Sequence, residues 1–350
     1  MGAVQRVAMA ILGASLGLII AVVVIELYNQ VHKRYAVEWH DPNTVFDPHL
    51  AWRPVAGRSV DHAWGTISAN REGFRSPPLD LSRRQIVLLG DSVGWGFGVG
   101  DESTLSYLME PVLRPAGFQL SNLSVSGFGI DQHLLRLREE LPRLSEQLAG
   151  IVVIICSKND FNESTSNFTY GKRKMLFRLS EGSLLLTNYP VARWDRRNLL
   201  SESKLVSLFE ERVPWVKALL KTVAGDFQLP EGEGEAVVIG LLRELTRVAQ
   251  EQKVPMHFIL SPDRRDIPEP GARYLRMRSL LLAAAVPFTD YQKIIAHKGY
   301  VVSDIYYDLL HYNRSGNQHL ADTVQGVVSQ WYPQIEEGVR PNGGFARPAS

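Results

Sequence analysis

Five apolar runs, Gln85–Leu89, Phe118–Val125, Gly150–Cys156, Pro255–Leu260 and Val286–Tyr291, are separated by stretches in which apolar residues recur at helical spacing. The helical stretches are Ser103–Leu113, Gln132–Leu148, Glu235–Gln252 and Ala272–Ala285. A run that is apolar throughout belongs to a strand covered on both faces, and strands joined through helices pair in parallel. The alternation therefore predicts an α/β fold with a five-stranded parallel sheet between two helical layers. Sheets of this kind bind ligands at the C-terminal edges of their strands, so the loops that follow the runs are where function is expected.

The remaining segments fall outside that alternation. Val7–Ile25 is an uncharged, aliphatic run of 19 residues, long enough to cross a bilayer core of about 30 Å. No small-x-small site follows it before Glu26-Leu27-Tyr28 and no cysteine is near for lipid attachment, so residues 1–30 are expected to be an uncleaved transmembrane anchor. Arg6 flanks one end of the run and His32, Lys33 and Arg34 the other, so charge alone does not orient it. Residues 31–82 carry breakers such as Asp41-Pro42-Asn43 and Ser76-Pro77-Pro78 and form a polar lead-in to a domain over 83–333. Within that domain, 161–234 interrupts the alternation as an insertion above the sheet, with a β-hairpin over Lys174–Tyr189 turning at Glu181-Gly182. Residues 334–350, rich in Gly, Pro and Arg from Gly338 onward, are expected to be a disordered tail.

Lys and Arg number 38 against 37 Asp and Glu, a net charge of +1 that gives no basis for a nucleic-acid partner. The one cysteine, Cys156, rules out an intramolecular disulfide and sits within an apolar run as a buried strand residue.

The first run leads into Gly90-Asp-Ser-Val-Gly-Trp-Gly-Phe-Gly-Val-Gly100. A dinucleotide fingerprint G-x-G-x-x-G starting at Gly94 needs glycine where Val99 stands, and one starting at Gly96 needs it where Asp101 stands. A phosphate loop needs a lysine, and there is none between Arg84 and Arg114. What matches is G-x-S-x-G over Gly90–Gly94, a turn that raises a nucleophilic serine above a sheet. In an α/β-hydrolase that turn follows several strands; here it follows the first, which points to a different serine hydrolase.

Downstream, Gly127 follows the second run, Asn159-Asp160 the third, and Asp308-Leu-Leu-His311 the last. A serine in G-D-S, a glycine after the second strand, an asparagine in G-x-N-D and a terminal D-x-x-H, in that order, resemble the four blocks of the SGNH (GDSL-type) hydrolase superfamily. The resemblance covers residues 83–333, with Ser157 in place of the glycine of G-x-N-D. Together with the anchor, Asn70-Arg-Glu-Gly-Phe-Arg75 and Gly94–Val99 resemble membrane-anchored bacterial members with cell-envelope and exopolysaccharide roles. It implies a flavodoxin-like α/β/α sandwich.

The implied chemistry is ester cleavage, with Ser92 as nucleophile, His311 as general base and Asp308 orienting His311 from three residues away. The Ser92 and Gly127 backbone N–H groups and the Asn159 side-chain amide would hold the oxyanion. No metal or organic cofactor is called for. The expected substrate is an acyl ester, acetyl foremost, on a cell-envelope or exopolysaccharide glycan. O-acyl transfer to such glycans, lipid ester hydrolysis and a non-catalytic glycan-assembly role stand as alternatives. The catalytic domain would lie on the outer, periplasmic side of a bacterial inner membrane. Other residues have plainer readings: His133 and His319 as helical histidines, Asp91 as a turn-former, Trp95 and Phe97 as packing, and Lys158 as a solvated surface lysine.

Overall fold

A computed structural model describes residues 43–170, 172–192 and 227–337, with a few isolated positions before residue 43. The chain divides into two compact units, one of residues 43–192 with 228–350 and the other of residues 1–42 with 193–227. Nearly all of the second unit, including most of the expected anchor over Val7–Ile25, lies outside the described residues. Among the described residues no helix is long and apolar enough to cross a membrane.

The first unit opens with two antiparallel hairpins, β1–β2 (Thr44–Asp47, Ala51–Pro54) and β3–β4 (Ser59–His62, Gly65–Ser68), where the sequence suggests only a lead-in. Strands of four residues with largely exposed faces leave no apolar period to read. The central sheet starts with β5 (Arg84–Leu89), β6 (Phe118–Asn122) and β7 (Leu148–Cys156). The insertion then adds the hairpins β8–β9 (Phe168–Thr169, Lys172–Arg173) and β10–β11 (Leu176–Ser180, Ser183–Thr187) before β12 (Met256–Ser261) and β13 (Phe288–Asp290) complete the sheet. As expected, β10–β11 turns at Glu181-Gly182, both with positive φ.

All neighbouring strands of the five-stranded sheet are parallel, in the order β13-β12-β7-β5-β6. Read from the other edge this is the flavodoxin-like order, which reverses direction between β5 and β7 and opens a crevice at their carboxyl ends. Side-chain alternation splits the core. Val87, Leu89, Ile151, Val153 and Ile155 face a layer of three helices, α3 (Ile130–Leu144), α5 (Glu231–Glu251) and α6 (Ala272–Ala284). Ile86, Leu88, Val152, Ile154 and Cys156 face α2 (Leu105–Leu113), α7 (Tyr291–Lys298) and α9 (Arg314–Trp331). The short helices are α1 (Ser92–Trp95), α4 (Asp160–Ser164), α8 (Val302–Ile305) and α10 (Gln334–Glu337).

Two expected boundaries move. The tail does not begin at 334, because Gln334–Glu337 is helical and Ile335, fully buried, belongs to the same core as α9. The second strand stops at Asn122 rather than Val125, because the Asn122 amide turns back on the chain. Its Oδ1 accepts from the Ser124 N–H at 3.0 Å and its Nδ2 donates to the Gly94 carbonyl at 2.9 Å. That bond ties the end of β6 to the turn that carries Ser92.

Candidate active site

Ser92 is the first residue of α1, directly after β5, and Asp91 caps that helix by accepting from the Val93 N–H at 2.9 Å. Asp308 and His311 lie on the loop between α8 and α9. The loop is pinched at its base, where Tyr306 bridges Tyr312 and the Tyr307 N–H donates to the His311 carbonyl at 2.7 Å. The same two tyrosines fasten it to the end of β12: Tyr312 Oη lies 2.9 Å from Ser261 Oγ, and Tyr306 Oη donates to the Pro262 carbonyl at 3.1 Å. The loop is thereby held over the carboxyl edge of the sheet, opposite Ser92.

The three predicted catalytic residues meet there. Asp308 Oδ1 accepts the Leu310 and His311 N–H groups at 2.7 and 2.8 Å, and Oδ2 lies 2.8 Å from His311 Nδ1. A carboxylate at Nδ1 requires the proton on that nitrogen, which leaves Nε2 as acceptor for the Ser92 hydroxyl 2.9 Å away. Partial burial works to raise the Asp308 carboxyl, but the bonds from the His311 ring and from the two backbone N–H groups outweigh it and hold the carboxyl well below the usual aspartate range.

Gly127, in the loop after β6, adopts φ +79°, and a Cβ there would sit 2.8 Å from the ring of Tyr170. Any other residue would clash and be strained, so the position is restricted to glycine.

Asn159 sits otherwise than as an open donor. Its Nδ2 donates to Asp91 Oδ2 at 3.0 Å and to Glu163 Oε1 at 2.7 Å, so both amide hydrogens are committed. Its Oδ1 is buried and accepts no hydrogen bond among the described residues. The cause is a cluster absent from the sequence reading: Asp91, Asp160 and Glu163 are buried together with carboxyl oxygens within 4.8 Å of one another. Four of the six oxygens accept from protein donors, namely Val93 N–H, Cys156 N–H, Asn159 Nδ2 and the Tyr170 hydroxyl, while Asp160 Oδ1 and Glu163 Oε2 are buried without a hydrogen-bond partner among the described residues. Like charges in a buried site cannot all ionise. Burial, then the neighbouring Asp91, pushes Glu163 up to about 8, and burial also raises Asp91 and Asp160.

A carboxyl with a raised folded pKa contributes stability below its unfolded value and loses that contribution as pH climbs through the folded one. Stability should therefore fall between the ordinary 4.5 and about 8. Glu163→Gln, which keeps the shape of the neutral acid, should flatten that fall when urea midpoints are compared across the same window. An unchanged slope would show that Glu163 does not titrate there.

The glycine-rich loop after α1 is organised by Arg75, whose side chain is fully buried. Its guanidinium donates to the carbonyls of Trp95, Gly96 and Val99 at 3.0, 2.8 and 2.7 Å and pairs with Asp101 at 3.2 Å. Asp101 is thus the partner of a buried arginine.

The plainer readings hold for several other residues. His133 is buried in α3 and held neutral, burial pushing it down to about 3. His319 stacks on Tyr300 at 3.9 Å, and Trp95 packs with Ile67 and Ala69 under Arg75. Burial raises the Cys156 thiol, which is therefore inert. Phe97 differs, because its ring lies 4.4 Å from that of His311.

No family model and no curated protein matches the chain. Solved structures similar to it include LAE5, an α/β hydrolase from the metagenome of Lake Arreo, Spain, at 12% identity over 70% of this chain and 95% of that one, with a TM-score of 0.42. The psychrotrophic esterase EstA from Pseudoalteromonas sp., inhibited by monoethylphosphonate, is similar at 13% identity over 71% and 99%, with a TM-score of 0.39. Axe2, an acetylxylan esterase from Geobacillus stearothermophilus, is similar at 12% identity over 75% and 100%, also with a TM-score of 0.39. The overlap is too loose to transfer an activity from any of them.

Proposed function

We propose that this chain is a serine hydrolase that cleaves esters, and that its substrate is an acyl ester, acetyl foremost, carried on a cell-envelope or exopolysaccharide glycan. The observation that carries the chemistry is the chain of contacts from Ser92 Oγ to His311 Nε2 at 2.9 Å and from His311 Nδ1 to Asp308 at 2.8 Å. In this reading Ser92 Oγ attacks the ester carbonyl carbon as its proton passes to His311 Nε2. Asp308, kept ionised by its hydrogen bonds, stabilises the imidazolium that forms. The tetrahedral intermediate collapses when the C–O bond to the alcohol breaks and the alcohol takes the proton from Nε2. Water then attacks the acyl-enzyme, gives its proton to Nε2, and releases the acid and Ser92.

The Ser92 and Gly127 backbone amides are the donors for the oxyanion. Asn159 becomes a third once its amide turns away from Asp91 or Glu163, a rotation eased when those carboxyls are protonated. The glycan and the placement outside a bacterial inner membrane rest on the sequence, chiefly on the run Val7–Ile25, which would tether the site near a bilayer. An alkyl fluorophosphonate tests the chemistry: mass spectrometry should find the adduct on Ser92 alone, and an unlabelled Ser92 in folded protein would remove the reading.

A further inference from the structure

One flank of His311 carries an aromatic assembly that the hydrolytic steps do not use. Phe97 lies between the rings of His311, at 4.4 Å, and Trp64, at 4.5 Å. Trp64 comes from the β3–β4 hairpin, and its Nε1 donates to the Tyr307 hydroxyl at 2.9 Å. Tyr307 closes the circuit through its backbone bond to His311. The Tyr307 ring packs against Gly98, where a Cβ would come within 2.8 Å of the ring and where φ is +87°. The Tyr307 residue is nevertheless 48% exposed. An exposed tyrosine fixed beneath by a glycine and at its hydroxyl by an indole is a rigid plate, and a ligand that stacks on it immobilises little side-chain freedom.

We propose that Tyr307, propped by Trp64 and Gly98, is a stacking platform for a pyranose ring on the alcohol side of the ester; this rests on the esterase reading above. The side follows from the chemistry. The carbonyl oxygen must point to the Ser92 and Gly127 amides, and the leaving oxygen must face His311 Nε2 to receive its proton. Whatever lies along the His311 flank is therefore the alcohol moiety and not the acyl chain. The class follows from the surface. A pyranose presents a flat face of C–H groups that matches an aromatic plate, with hydroxyls at its edge. Here the plate carries its own hydroxyl at one edge, and the exposed His62 lies 3.9 Å, between ring centres, from the Trp64 that props it. A long alkyl alcohol calls instead for an enclosed apolar groove.

The test separates binding from turnover. Saturation-transfer NMR with methyl α-D-glucopyranoside reads the platform directly in the full chain. Transfer to the ring protons should fall by roughly two- to tenfold in both Trp64→Ala and Tyr307→Leu, the range one aromatic contact supplies. In parallel, the preference for the 6-O-acetyl derivative over ethyl acetate, as a ratio of kcat/KM, should drop by a similar factor through KM. Unchanged transfer in either folded variant, or stronger transfer to n-octanol than to the glucoside, would overturn the platform. Absence of ethyl acetate hydrolysis by the wild type would overturn the esterase reading alone, since the NMR result still decides the platform.

Discussion

Ser92→Ala is expected to lower ester turnover by about six orders of magnitude, because in a triad that acts as a unit the loss of the nucleophile costs nearly as much as loss of all three members. The geometry gives that expectation its grounds. The hydroxyl is already within 2.9 Å of an acceptor nitrogen whose other side is held by Asp308, so removing Oγ removes the nucleophile that this geometry serves. Asp308→Asn should lose about 10⁴-fold, since an amide at that position favours the wrong imidazole tautomer. Asn159→Ala should cost less, about 10²- to 10³-fold, the size of one oxyanion donor. A short-chain acetate and purified protein suffice for the comparison. Turnover by Ser92→Ala within tenfold of the wild type, with Asn159→Ala more damaging, would place the chemistry elsewhere.

What could be read from sequence divides along a physical line. The sheet was legible because Ile86–Leu89 and Ile151–Cys156 are apolar at every position, and only strands covered on both faces need that. Asp308 and His311 were legible because they are three residues apart, so one tight loop sets their geometry. Asn159 was legible as a position but not as a conformation. Its amide is decided by Asp91, 68 residues away, and by Glu163, one helical turn on. The β3–β4 hairpin was illegible, because its exposed strands lack an apolar period and Trp64 acquires meaning only against Tyr307, 243 residues later. Arg75 was illegible as an organiser for a further reason: three of its partners are backbone carbonyls, which no side-chain pattern encodes.

That arginine carries the largest expected effect on stability. Arg75→Met should destabilise the domain by about 3–5 kcal/mol, the cost of breaking a buried ion pair from one side. Four acceptors lose their donor at once: the carbonyls of Trp95, Gly96 and Val99, and the Asp101 carboxylate, which keeps only the Ser68 N–H at 3.0 Å. Arg75→Lys should recover part of this, because an ammonium can meet Asp101 but cannot fork to three carbonyls. Arg75→Met with Asp101→Asn should lose less than the sum of the two single changes, since the stranded carboxylate is then gone. Urea midpoints of the wild type and the four variants measure all of this, and a loss below about 0.5 kcal/mol for Arg75→Met would mean the guanidinium is not structural. The loop that Arg75 holds also carries Phe97 against His311 and Gly98 beneath Tyr307. Protein that stays folded after Arg75→Met should therefore lose turnover as well, if His311 is the proposed base, because the wall beside His311 is set by the same four bonds.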